Sequence, residues 1–209
     1  MLDLFISSSL VSAGGVMIAF EGFLEYNGHY EKLFGTRYSD IVAGCIDAAE
    51  KWPSIVAEVN AGTWRAHIML GSGNGNNRLR VFCRSASIAG DSKVFLLVGS
   101  DTTRYYYNGM WVQDGWDIQL VEGVVTQSTD GVQSTMISWE ESKSLLQQIP
   151  KHTQDQLKDV VTAGGSGIVM LNDTLVFPLV ANVKNYPFFM SIYSTDNDNN
   201  RVLPESLFL

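Results

Sequence analysis

The chain has 209 residues, 45% apolar and 17% charged, which is enough to bury a sizeable core and too apolar for disorder over most of its length. Its 14 basic and 22 acidic residues leave a net charge of −8. No basic run offsets that charge, so a phosphate backbone would be repelled and nucleic-acid binding is disfavoured.

The opening stretch "MLDLFISSSLVSAGGVMIAF" lacks the positive region of a signal peptide, and Gly14-Gly15 split its apolar run. No segment reaches the roughly 18 consecutive apolar residues of a membrane span. Neither a leader nor a membrane span is therefore predicted in this chain. Downstream, short apolar runs bounded by Gly, Asn, Asp, Ser or Pro dominate, at residues 15–20, 39–45, 54–59, 79–83, 94–99, 116–121, 135–139, 167–171, 174–180 and 188–193. Runs of this length with partial alternation predict strands, several of them covered on both faces, and hence an all-β chain.

Residues 145–161, "LLQQIPKHTQDQLKDVV", differ. After Pro150 the spacing of Leu157, Val160 and Val161 is helical, and Gly164-Gly165 supply a stop, so one short connecting helix is predicted. The loop "GSGNGNN" at 71–77 has a glycine-rich look but is followed by the strand-like "RLRVF" instead of a helix, so it is not a phosphate cradle. Cys45 and Cys83 fit no disulfide framework and no C-x-x-C pair, and read as two buried thiols or one bridge. His29, His67 and His152 are scattered, so no metal site is predicted, and no cofactor motif is present.

Two segments follow a Ser-x-Asp-x-Gly turn, in which a hydroxyl and a carboxylate accept from turn N–H groups, a glycine takes positive φ and an aromatic closes the turn. "YSTDNDNNR" at 193–201 keeps Ser194 and Asp196 but has Asp198 and Arg201 at the glycine and aromatic positions. "CIDAAEKW" at 45–52 keeps Asp47 and the closing Trp52. Degenerate turns repeated after strands suggest the blades of a propeller.

Longer strings carry a specific resemblance: "IVAEVNAGTWRAHIMLGSG", "SKVFLLVGSDTT", "DGWDIQLVEGVVTQSTDG", "ISWEESKSLLQQI", "AGGSGIVMLNDTLVFPLVA" and "SIYSTDNDN", in that order. Together they resemble the trypanosome trans-sialidase family, in particular its surface-glycoprotein branch, most of whose members lack activity. The resemblance implies that residues 1–209 are the N-terminal part of a six-bladed sialidase-type β-propeller, about two and a half blades. It implies exo-α-sialidase or trans-sialidase chemistry for active members and a cell-surface or secreted location. It further implies host-cell glycans or extracellular matrix proteins as partners.

That chemistry needs an arginine clamp on the substrate carboxylate, a tyrosine nucleophile activated by a glutamate, and an aspartate acid/base. The family's first arginine precedes the first strand in a Phe-Arg-(Ile/Leu)-Pro motif; here the stretch is Phe5-Ile6-Ser7-Ser8, with Ile6 in the arginine position. The acid/base aspartate falls near Gly35 in "EYNGHYEKLFGTRYS", and the spacing supports none of Glu25, Glu31 or Asp40 as a substitute. The sugar-binding aspartate corresponds to Arg84 in "FCRSAS", and an arginine cannot accept from sugar hydroxyls. The remaining arginines, the glutamate and the tyrosine would lie beyond Leu209. No catalytic residue is therefore assigned, and the chain as given is expected to be inactive, with family activity retained only in a longer chain as the alternative. Tyr105, Tyr106, Tyr107 and Trp111 lie where active members place aromatics that stack on a sugar, and read either as glycan-binding or as structural. Asn172-Asp173-Thr174 is an N-glycosylation acceptor on a predicted hairpin turn.

Overall fold

A computed structural model describes residues 2–27, 36–47, 51–61, 66–71, 74–75, 78–105, 111–127, 135–183, 186–194 and 201–202. The first sheet pairs β1 (Leu2–Ala13), β2 (Val16–Asn27), β3 (Thr36–Asp47) and β4 (Ala66–Leu70) antiparallel in chain order, with helix α1 (Trp52–Ala61) between β3 and β4. The second contains β5 (Asn74–Gly75), β6 (Arg78–Ala89), β7 (Lys93–Tyr105), β8 (Trp111–Gln127), β9 (Thr135–Trp139) and β10 (Lys143–Ser144). A 3₁₀ turn (Leu146–Gln148) and helix α2 (Lys151–Gln156) lead to β11 (Lys158–Thr162). Strands β12 (Gly165–Ser166), β13 (Ile168–Val169), β14 (Leu175–Val183), β15 (Tyr186–Ser194) and β16 (Arg201–Val202) complete the described chain. The third sheet has the order β11-β14-β15-β16, while β12 pairs parallel with β6 and stitches the second and third sheets together.

Three stacked antiparallel sheets that do not close on themselves are an open part of a propeller, as expected. The third blade already has its fourth strand, although β16 spans only two described residues.

The stacking arises from the apolar pattern. In β7, Val94, Leu96 and Val98 face the first sheet, joining Phe82, Val121 and Val125 against Val16, Ile18, Phe20 and Ile41. Leu97 faces the other way, with Ala86, Ile88, Ile118 and Leu120 against Phe177, Leu179, Ala181 and Ile192 of the third sheet. The middle sheet is thus buried on both faces, which is why residues 94–98 read as an unbroken apolar run. Each large side chain so buried contributes about 1.5–3 kcal/mol. Register agrees with this division, since Leu96 is opposite Val121 and Leu97 opposite Leu120.

Two expectations need correction. Residues 54–59, predicted as a strand, lie in α1, where the spacing Trp52, Ile55, Val56, Val59 is that of one helix face and Pro53 sits in the first turn, which tolerates it. Only Ile55 is buried among the described side chains of that helix. The short connecting helix predicted after Pro150 is α2, but it follows a 3₁₀ turn and ends at Gln156, and Val160 and Val161, on which it was argued, lie in β11. Leu157 leaves the helix with φ −90° and ψ 137°. β11 then carries a register shift between Lys158 and Val161. A bulge inserts one residue and flips the facing of the residues after it, so buried Leu157 and Val160 share a side at a spacing that imitates a helix. The connection is pinned by Gln154 Nε2, which donates to the Leu146 and Ile149 carbonyls at 2.8 and 2.7 Å, and by Trp116 Nε1, which donates to the Leu157 carbonyl at 3.2 Å.

Candidate functional site

The β1–β2 turn and the β6–β7 turn meet at one end of the array, where the Gly14 N–H donates to the Asp91 carbonyl at 2.8 Å. At the opposite end lie the last residues of β2, β7 and β14, together with the first residues of β1, β6 and β11. Strands β1, β6 and β11 begin the three sheets and pack beside one another.

All three carry a register shift. It falls between Ile6 and Ser9 in β1, between Cys83 and Ser85 in β6, and between Lys158 and Val161 in β11. Two of these bulges are directly joined: Gly99, the β7 partner of Cys83, lies against Val161, and a Cβ there would stand 2.8 Å from the Val161 Cα. A bulge re-aims a side chain that a regular ladder would hold in the sheet. Three bulges on neighbouring leading strands therefore form a coherent feature of the fold, and the site is built from them.

Arg84 is the residue that the β6 bulge turns out of register. Its φ is +30°, in the left-handed region that costs a non-glycine residue of order 1–2 kcal/mol. Its side chain is exposed and makes no hydrogen bond or ion pair among the described residues. Such a free guanidinium can clamp a carboxylate or sulfate through two parallel N–H donors, and it offers nothing to a hydroxyl proton. Ile6 borders the β1 bulge, so a residue with no charge stands at the position where the resemblance implies an arginine.

Other predicted residues are distributed unevenly. Tyr105 and Trp111 are directly opposite each other at the end away from Gly14 and Asp91, six residues along β7 from the Gly99 that faces the β6 bulge; Tyr106 and Tyr107 lie outside the described residues. Asp40 is partly buried in β3 opposite Phe23, and Glu25 pairs with Tyr38, so both are carried within the first sheet. Glu31 and Gly35 fall outside the described residues.

The degenerate turns lie at the other end. Asp47 ends β3 opposite Val16. Trp52, read as the aromatic closing that turn, instead heads α1 and is 68% exposed, because the chain enters a helix at this point. Ser194 pairs with Arg201, so the two residues form the base of a hairpin; Asp196 and Asp198 within it lie outside the described residues. Asn172 is exposed in the turn between β13 and β14. Cys45 is a free thiol at an exposed position, not a buried one, and partial desolvation pushes its pKa up. Among the described residues no cluster of His, Cys, Asp or Glu could hold a metal ion, and no helix is long and apolar enough to cross a membrane.

The bulges were missed in the sequence and show only in the packing: Phe82 joins the core against the first sheet while Ala86, four residues on, joins the core against the third, which regular alternation forbids.

Comparison with known proteins agrees with this architecture. Residues 7–207 match the BNR repeat-like domain family. The chain is 41% identical to Sialidase 85-1.1 of Trypanosoma cruzi over 210 residues, covering 98% of this chain and 28% of that protein. A second Trypanosoma cruzi sialidase is 30% identical over 139 residues, 65% of this chain and 12% of that one. Among solved structures, Trypanosoma rangeli sialidase in complex with the inhibitor DANA superposes with a TM-score of 0.71 at 24% identity, over 98% of this chain and 31% of that one. The Hadza microbial sialidase Hz136 gives 0.60 at 15% identity, over 94% of this chain and 36% of that one. Both show the shared fold. The chain spans less than a third of the length of the trypanosome proteins it matches. With this agreement across nearly its whole length, the chain belongs to the BNR repeat-like, sialidase/trans-sialidase family.

Proposed function

We propose that this chain is part of a catalytically degenerate sialidase-like protein of the cell surface or secreted space, and that the surface around its β6 bulge binds anionic host glycans without cleaving them. The observation that carries the reading is Arg84, a guanidinium unpaired among the described residues, on a strained bulge where the resemblance implies a sugar-binding carboxylate. Together with Ile6 at the arginine position, it reverses the charge pattern that hydrolysis of a sialoside needs. Each missing acid, base or nucleophile costs of order 10²–10⁴ in rate. A carboxylate-bearing sugar suits Arg84, and the aromatic faces of Tyr105 and Trp111 suit the rest of a sugar chain. Contact with extracellular matrix proteins is expected where those proteins carry such glycans.

Two measurements test this. The chain, at high concentration, is expected to leave a fluorogenic sialoside uncleaved, and turnover abolished by a sialidase transition-state analogue would overturn the degenerate reading. Immobilised sialyllactose is expected to retain the chain and to lose about tenfold in affinity for Arg84→Ala, the value of a typical charge-assisted contact. No retention, or retention unchanged in that variant, would overturn the glycan reading. The alternative, activity regained in a longer chain, draws on the relatives' names as sialidases, and the same sialoside assay on the longer protein decides it.

A further inference from the structure

The turn between β13 and β14 is the most exposed apolar feature among the described residues. Ile168, Val169 and Met170 are each exposed, and Leu171 at the tip is fully so. The turn is nonetheless well formed: the Met170 N–H donates to the Thr174 carbonyl at 2.9 Å and the Asp173 N–H to the Met170 carbonyl at 3.0 Å. Asp173 takes φ +60°, as a tight turn here requires. Asn172 comes directly after the bare Leu171, with its Oδ1 accepting from the Thr174 N–H at 3.4 Å. That bond bends the side chain back over its own turn and uses the oxygen. The amide nitrogen makes no hydrogen bond among the described residues.

Asn172-Asp173-Thr174 is the one Asn-x-Ser/Thr sequence in the 209 residues. We infer that Asn172 is an N-glycosylation site, and that its glycan covers the apolar tip of the β13–β14 turn. In the transfer, the Asn172 amide nitrogen bonds to the anomeric carbon of a polyprenyl-pyrophosphate-linked oligosaccharide. The anomeric C–O bond to pyrophosphate breaks, the nitrogen loses one proton, and the polyprenyl pyrophosphate departs. Exposure and turn geometry satisfy the access this reaction needs.

Strand direction sets the placement. β12 runs parallel to β6 toward its turn with β7, Gly165 and Ser166 lying beside Ala86 and Ser87, so the chain enters the β13–β14 hairpin at the Gly14 and Asp91 end. From there the nine residues of β14 run back to the opposite end, a distance of roughly 30 Å at about 3.3 Å per residue. A glycan on Asn172 therefore grows away from the end at which Tyr105 pairs with Trp111. Its polar surface covers the exposed run 168–171, which otherwise invites association.

The test is translation of the full chain, behind a cleavable secretion leader, into microsomes competent for glycan transfer. One slower-migrating, protease-protected species is expected, collapsing on treatment with peptide-N-glycosidase and carrying Asp at position 172 afterwards. Asn172→Gln and Thr174→Ala are expected to abolish the shift, and Thr174→Ser to keep it. An unshifted, protease-protected chain in microsomes that modify a control acceptor would overturn the inference. So would a shift that survives Asn172→Gln.

Discussion

Arg84 shows how a single residue can carry both a cost and a use. With φ at +30°, its backbone holds a conformation that glycine adopts freely. Arg84→Gly is expected to stabilise the chain by about 0.5–1 kcal/mol, the strain relieved less the extra freedom gained by the unfolded chain. A rise in the midpoint of chemical denaturation would show it, and an unchanged or lower midpoint would mean that the bulge is not strained at this residue. The same variant removes the guanidinium, so its glycan retention should fall as stability rises. That opposition separates a binding role from a structural one. In the sequence Arg84 stands out as a departure from the family pattern, but its left-handed backbone was not legible, because nothing in "FCRSAS" contains a glycine or a turn signal. The same limit applies to Trp52. An aromatic at the end of a turn-like string looks like a lid, and only the helix that begins there shows it standing in solvent.

At the scale of single elements, β9 illustrates how sheets are fastened to one another. Trp139 lies across Gly123 of β8, where any Cβ would run into its ring, and meets Phe20 of the first sheet edge-on at 5.8 Å and 71°. The absence of a side chain at 123 thus lets one aromatic bridge two sheets. Gly123→Ala is expected to cost about 1–3 kcal/mol through displacement of that ring, and thermal melting measures it. A melting temperature within error of the parent would show that the ring shifts freely. The strands of the middle sheet were readable because two buried faces require an unbroken apolar run. The helices were readable only in part. In α1 the β-branched Ile55, Val56 and Val59 favour a strand by composition, while their spacing is helical and prevails in the structure. In 145–161 the helix after Pro150 is present as α2, but the helical interval of Leu157 and Val160 that suggested it comes from a bulged strand.

On the scale of the whole molecule, the middle sheet is covered on both sides and each outer sheet on one. The bare side of the third sheet shows Phe189 at 84% exposure, the end of β15 leaves Tyr186 at 71%, and the bare side of the first shows Leu10. Large apolar groups left in water at the face of an open stack of sheets drive association. The 209-residue chain alone is expected to self-associate, and Tyr186→Lys with Phe189→Lys to shift it toward monomer in sedimentation. A monomeric parent would show that these faces tolerate water. Pairing of Ser194 with Arg201 marks where the last described strand begins, within a hairpin base that the Ser-x-Asp spacing had already suggested. By itself the sequence determined the all-β class, the antiparallel blades and the family, because these depend on local apolar period, turn residues and ordered strings of identity. Only the tertiary structure decided the bulges on β1, β6 and β11, the place of Arg84 midway along β6, and the end at which Asn172 stands. Those depend on register between strands far apart in the chain, and register belongs to a pair of strands, so neither strand's sequence states it alone.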